Sequence, residues 1–173
     1  HFNMRMGAIE GVIEFPSVAV RFYSVHLGSL TSEERLVQVR QLLENHRRNQ
    51  TEGGMWTGTR CGGRGIDWLC GEDPPPNPPA AIIMGDFNFM VDRRERWNKE
   101  DGQWTGAGDE MDHTNFVQTL LEPWGFHEIH QPQYTCDVEA ARSRLDRVYS
   151  NHHVVDQLDR RYACAALLWT SLS

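Results

Sequence analysis

Two stretches near the start of the chain, Ile9 to Phe15 and Val18 to Leu27, read as strands joined at Pro16-Ser17, a hairpin-like pair. In the second, Val18, Val20, Phe22, Ser24 and His26 share one face, while Ala19, Tyr23, Val25 and Leu27 share the other. Both faces are largely apolar, which predicts a strand covered on both sides. Thr31-Ser-Glu-Glu34 then forms a capping box, with Thr31 as N-cap and Glu34 reaching back. Leu36, Val39 and Leu43 recur at helical spacing behind it, predicting an amphipathic helix to about His46.

Periodicity then stops. Seven of the 15 glycines fall between residues 53 and 71, and five of the eight prolines between 74 and 79, so residues 47–80 read as a long surface insertion within a single domain spanning 1–173. Ala80-Ala-Ile-Ile-Met84 is a short continuous apolar run, the mark of a central buried strand, and it ends in Gly85-Asp-Phe-Asn88. A charged and Gly-rich stretch follows to about Asp112. A short helix is predicted from His113 to Leu121, and short strands at Phe126–Ile129, Tyr134–Cys136, Leu145–Ser150 and Tyr162–Leu168. The pattern is mixed α/β, with hairpins and helices rather than a strict βαβ alternation.

With 39% apolar and 24% charged residues the chain is globular rather than disordered. No apolar run reaches the roughly 18 residues of a membrane-spanning helix, and no basic-then-apolar leader opens the sequence. The net charge of −7 disfavours indiscriminate phosphate binding. It leaves room for an enzyme in which a divalent cation supplies the local positive charge. Of 17 cationic side chains only Lys99 is not Arg, and Arg is the residue whose planar fork matches phosphate. Cys61, Cys70, Cys136 and Cys164 form no C-x-x-C pair; reduced intracellular thiols, nuclear or cytoplasmic, are the expectation, with a Cys61–Cys70 clip as the sharper alternative.

Three segments carry candidate chemistry. At Gly85-Asp-Phe-Asn88 a buried strand emerges into a glycine, which permits a conformation or close approach closed to other residues. Asp86 and Asn88, two apart in extended chain, fall on one side. Asp86 can take a proton from water or bind a metal, and Asn88 can donate to a phosphoryl oxygen; an Asx-turn accounts for the same spacing. His26 closes a strand, where it either packs or donates to a phosphate or leaving oxygen. Asp146 lies between Arg144 and Arg147, where it serves either as a salt-bridge partner or as a carboxylate that orients a catalytic His. Arg93 and Arg94 are candidates for contact with a nucleic-acid backbone, although Asp92, Glu95 and Glu100 interleave them as on a solvated charged face.

Together these segments resemble the endonuclease/exonuclease/phosphatase superfamily. Ser24-Val-His-Leu27 is similar to the family's strand ending in His-Leu, Gly85 to Asn88 matches its Gly-Asp-Phe-Asn signature at every position, and Arg144-Leu-Asp-Arg-Val148 matches its Arg-Ile/Leu-Asp strand, with the customary Thr before it at Thr135. The resemblance implies a four-layer sandwich of two packed mixed β-sheets flanked by helices, and Mg²⁺- or Mn²⁺-dependent hydrolysis of a phosphate ester. It implies that Asp86 orients or deprotonates the attacking water and that Asn88 holds that water or a phosphoryl oxygen, both near the metal. His26 would stabilise phosphate charge, Asp146 would orient a second catalytic His, and Arg93, Arg94 and Arg144 are candidates to bind substrate. The Pro132-Gln-Tyr-Thr-Cys136 and Ser143-Arg-Leu-Asp146 segments look most like retrotransposon-type endonucleases, which implies DNA as partner, with no membrane and no obligate protein partner.

Two family features have no counterpart. Nothing before His26 matches the opening Asn strand or the Gln-Glu pair whose Glu is the principal metal ligand; Glu10 and Glu14 lie in the hairpin strand just ahead of His26. By register, Ser173 falls where the family's closing Ser-Asp-His triplet begins. The expectation is therefore a domain truncated at both ends, marginally stable, with reduced or no activity as an isolated chain. The alternatives are a phosphatase or phospholipid diesterase of the same superfamily, and a non-catalytic binding module using residues 47–80.

Overall fold

The computed structural model describes residues 7–16, 18–53, 77–105 and 113–157. The first two strands form as the alternation predicts. β1 (Gly7–Glu14) pairs antiparallel with β2 (Ala19–His26), and Phe15 and Val18 exchange backbone hydrogen bonds across the turn between them. Helix α1 (Ser32–Glu52) follows, its first turn capped by the Thr31 hydroxyl accepting from the Glu34 N–H at 3.1 Å. The apolar run becomes β3 (Ala81–Asp86), which lies parallel to β2.

Two further strands, β4 (Arg96–Asn98) and β5 (Gln103–Trp104), form a small hairpin after a single 3₁₀ turn at Arg93–Glu95. Helix α2 (His113–Leu121) has π-type spacing, in which the Thr119 hydroxyl donates to the Thr114 carbonyl five residues back. After Gly125, in the left-handed region at φ 77°, come β6 (Phe126–Glu128), β7 (Cys136–Asp137), β8 (Ala141–Ser143), β9 (Asp146–Asn151) and helix α3 (His152–Gln157).

These strands make two sheets, five-stranded in the order β1-β2-β3-β9-β6 and four-stranded in the order β5-β4-β8-β7. The mixed α/β fold class is the one the sequence predicts and a pair of sheets is what the resemblance implies, but only the larger sheet is mixed; the smaller is antiparallel throughout. The strand expected at Tyr134–Cys136 lies instead at Cys136–Asp137, with Tyr134 and Thr135 outside it, and three further details differ. Helix α1 runs on to Glu52, six residues beyond His46, so the helix takes up residues 47–52 of the expected insertion. Strands β4, β5 and β8 arise where no periodicity marked them, because strands of two or three residues are defined by their partners. β2 is also not covered evenly. Tyr23, Val25 and Leu27 are buried, but on the opposite face cover extends over Val18 and Val20, is partial at Phe22, and gives way to exposure at Ser24 and His26. Cys61, Cys70, Cys164, residues 54–76 and the expected strand Tyr162–Leu168 lie outside the described residues.

The main core lies on the Tyr23 face of the larger sheet. There Val39 and Leu43 of α1, with Val117 and Leu121 of α2, pack on Tyr23, Val25, Ala81, Ile83 and Tyr149. A polar cluster is built into this core. Arg21, fully buried, reaches Glu10 of β1 at 2.6 Å and donates to the His46 carbonyl at 3.1 Å. Tyr23 Oη and Arg21 Nη1 lie 3.0 Å and 3.4 Å from His46 Nδ1. Arg can only donate, so His46 Nδ1 is the acceptor in this cluster. Asn77, just before β3, donates its side-chain amide to Glu10 at 2.9 Å, and its backbone N–H to the Asn49 carbonyl, which also accepts from Gly53.

Burial, with the Arg21 charge and then His153 adding to it, pushes the His46 pKa down from 6.5 to about 4. The unfolded chain therefore binds the extra proton first. The stability this neutral imidazole contributes is complete above about pH 6.5 and is lost as pH falls towards 4. We predict a decline of roughly 2 kcal/mol from this group between pH 7 and 5, measured as the free energy of unfolding in denaturant. His46→Gln should be less stable at pH 7 and flatten the slope over that interval; an unchanged slope would rule His46 out as its source.

Candidate functional site

The candidate residues converge because three neighbouring strands end in register. His26 of β2 is paired with Asp86 of β3, and Asp86 with Asp146 of β9. Residues directly opposite one another project to the same face of a sheet, so the three side chains form one row across its end. The next row back, Ser24, Met84 and Val148, and the one behind it, Phe22, Ile82 and Ser150, are mostly apolar. The row of titratable groups thus sits at the rim of an apolar floor. His26 Nε2 lies 3.8 Å from Asp86 Oδ2, with the imidazole 57% exposed and the carboxylate 31%. An open groove of about 280 Å³, lined by Gly7, Ala8, Ile9, Ser24, Val25 and His26, runs beside it.

Gly85 makes this row possible. Its φ is +133°, a region essentially confined to glycine, and a Cβ there would stand 2.0 Å from the Val25 carbonyl oxygen of its paired strand. Both reasons proposed for a glycine at this position therefore operate. Past it the chain turns. Asn88 takes φ 53°, and its N–H donates to Asp86 Oδ1 at 2.8 Å, the contact of an Asx-turn. Asp86 and Asn88 are brought together by that turn rather than by extended chain. The Asn88 side-chain amide donates to the Leu27 carbonyl at 2.8 Å, just beyond His26. One amide hydrogen is thus committed to the framework, which fixes the side chain and leaves its oxygen, an acceptor, without a partner among the described residues.

Asp146 is held from behind. Thr135 Oγ1 accepts from the N–H of Leu145 at 3.1 Å and of Asp146 at 3.0 Å. The flanking guanidiniums do not pair with Asp146. Arg147 points to the opposite face, where it donates to Glu128 at 2.8 Å and Glu95 at 2.5 Å, and its guanidinium carbon lies 4.6 Å from the Phe89 ring centroid. Arg144, read above as a substrate contact, is 6% exposed and bound to Glu95 and Glu128. Its place is inside the framework. Arg93 and Arg94 are both exposed, Arg93 donating from Nε to the Trp104 carbonyl at 2.9 Å and Arg94 pairing with Asp92 at 3.3 Å. Glu10, engaged with Arg21 and Asn77, stands apart from the row. Neither the Arg144 and Arg147 pairings nor the Leu27 carbonyl contact left a mark in the sequence, because each depends on residues distant along the chain.

The Asp86 carboxyl is pushed above the usual range, by burial first and by the Asp146 charge in addition, against the Asn88 N–H and His26, which favour the anion. Two neighbouring carboxylates without a guanidinium between them, plus an amide oxygen, form a hard oxygen-donor set. Among the described residues no group of three or more His, Cys, Asp or Glu side chains gathers around one point. One or two carboxylates with water and phosphate are what a divalent cation of the Mg²⁺ type takes, so the chemistry of these donors, rather than any gathered cluster, is of the kind that would hold one. Gly85→Ala should lower stability by roughly 3 kcal/mol or more and separate β2 from β3 at their site ends. A denaturant midpoint equal to that of the parent chain would contradict this account of the glycine.

No protein-family model matches the chain, and no curated protein matches it in sequence. Solved structures do. The endonuclease domain of TRAS1, a telomere-specific non-LTR retrotransposon, is 15% identical at a TM-score of 0.46, with 90% of this chain aligned to 58% of that one. D. rerio TDP2 complexed with a single-strand DNA product is 17% identical at 0.45, over 86% and 48%. The inositol polyphosphate 5-phosphatase domain of SPsynaptojanin is 16% identical at 0.40, over 86% and 43%. The chain spans about half the length of these structures, and what it is similar to in each is a backbone arrangement at low identity.

Proposed function

We propose that this chain is part of a metal-dependent phosphodiester hydrolase acting on DNA, of the retroelement endonuclease type that its motifs resemble, and that it works in the nucleus or cytoplasm. The observation that carries the proposal is the row His26–Asp86–Asp146, set in register at the ends of three adjoining strands with Asn88 fastened beside it.

In this reading Asp86 orients the attacking water and takes its proton. His26, on the exposed side of the row, donates to a phosphate oxygen as negative charge builds. Asn88 presents its amide oxygen from a side chain that cannot swing away, because the Leu27 carbonyl holds it. Asp146 serves as the second carboxylate, in the position that the resemblance assigns to orienting another imidazole. Asp86, Asn88 and Asp146 are the residues that would hold Mg²⁺ or Mn²⁺, which when bound supplies charge neutralisation on the phosphate and the departing oxygen. Arg93, and Arg94 to a lesser degree given its Asp92 partner, contact the substrate backbone.

The test is nicking of supercoiled duplex DNA with Mg²⁺ or Mn²⁺ present. Asp86→Asn preserves the shape of the side chain and removes its charge, and should lower the rate by about a hundredfold or more. A rate left unchanged would remove Asp86 from the chemistry. Phosphate release from a phosphomonoester or an inositol phosphate, without nicking, would place the chain with the phosphatases instead.

A further inference from the structure

The four-stranded sheet carries a feature the hydrolytic row does not use. Trp104, Trp97, Arg142 and Asp137 lie directly opposite one another across β5, β4, β8 and β7, so they form a single row on one face. The two indoles meet edge to face with centroids 4.8 Å apart, and Tyr134 lies 6.3 Å from Trp104 at a shallow 34° tilt. Trp104 remains 38% exposed, a large aromatic surface held rigid by its neighbours yet open to solvent.

The charges around it are mostly spoken for. Asp137 pairs with Arg142 and Lys99, and Asp92 with Arg94. Arg96 has no ion pair among the described residues, but by strand alternation it projects to the face away from the Trp97 row; on the Trp104 side Arg93 is the exception. Its Nε is anchored to the carbonyl of Trp104 itself, and neither terminal nitrogen has a partner among the described residues. The exposed ring on β5 and the guanidinium in the turn before β4 are therefore joined by that hydrogen bond. The patch is also joined to the candidate site, since Tyr134 immediately precedes Thr135, whose hydroxyl accepts from the Asp146 N–H.

We infer that Trp104 and Arg93 form a binding site for one unpaired nucleotide, the base stacking on the exposed indole and the phosphate meeting the Arg93 guanidinium. The chemistry selects that occupant. A ring face binds any base but only once it is unstacked, and a guanidinium fork binds phosphate. Tracking along a duplex needs a succession of free cations, and here Asp92, Glu100, Asp101 and Asp137 crowd the surroundings. This deepens the proposed function by naming single-stranded or locally opened nucleic acid as the form bound beside the hydrolytic row.

The experiment measures binding apart from cleavage, by fluorescence anisotropy of a labelled 12-nucleotide single strand and of the matching duplex, at fixed salt with chelator present. The single strand should bind more tightly than the duplex. Trp104→Ala should weaken single-strand binding about tenfold, while Trp104→Phe retains most of it. Arg93→Gln should weaken it and lower the salt slope by about one. Single-strand binding that is unchanged in both Trp104→Ala and Arg93→Gln would overturn the inference, as would equal losses on duplex and single strand. Should Trp104→Ala not fold, as read by circular dichroism, Arg93→Gln and Trp104→Phe still decide the outcome. Binding that behaves as described while Asp86→Asn leaves the nicking rate unchanged would sustain this inference and sink the hydrolytic reading alone.

Discussion

Two guanidiniums and two carboxylates hold this structure together at its most consequential point. Arg144 and Arg147 both bind Glu95 and Glu128, and all but Glu128 are nearly or fully buried. The four come from the turn before β4, from β6, and from the junction where the chain leaves β8 in the smaller sheet and enters β9 in the larger. Burial alone would raise the pKa of Glu95, but the Val91 N–H, Arg147 and Arg144 together more than offset this and hold it below the usual range. Such a cluster is weak as a source of net stability, because each ion loses its hydration, yet losing one member leaves the others buried and unpaired. Its effect is to specify how the two sheets meet.

Both arms of the candidate site hang from that cluster. Asp146 lies between its two arginines in sequence, and Phe89, whose carbonyl lies 3.4 Å from Arg147 Nη2, ends the segment that begins at Asp86. The alternation of a strand then separates the charges. Arg147 turns to one face and is neutralised, while Asp146 turns to the other beside Asp86, where the described residues place no Arg or Lys. One short sequence thus gives a compensated framework and an uncompensated pair of carboxylates, back to back. Negative charge concentrated at the rim of an apolar floor is the condition under which a cation or a proton is drawn in.

Much of this was legible from residue order, and what was not has a common cause. The apolar run ending at Gly85 marked the central strand, and Thr31 marked the start of α1, because both signals are local. The end of α1 was not legible. Arg47, Arg48, Asn49 and Gln50 carry no apolar stripe, and that turn stays helical where His46 and Asn49 are buried against Arg21, Tyr23 and Asn77. Arg144 passes in the sequence for a substrate-binding cation for the same reason. Its carboxylate partners Glu95 and Glu128 lie 49 and 16 residues away, so only the fold could show that the charge was already matched. The row His26–Asp86–Asp146 lies between these cases. Each member was identifiable, but their alignment depends on strand order and register.

The carbonyl of Asn49 receives the N–H of Gly53, where the chain departs from the end of α1, and the N–H of Asn77, where it returns ahead of β3. Departure and return are thereby pinned at one point, and Asn77 is tied to β1 through Glu10 as well. The distance that residues 54–76 must bridge is set by the framework and does not depend on how many residues do the bridging. Closing such a span costs only about 0.6 kcal/mol more for each doubling in length. Over evolutionary time this stretch can lengthen, shorten or change composition while the strands carrying His26 and Asp86 remain in register, so variation between related chains should collect here first.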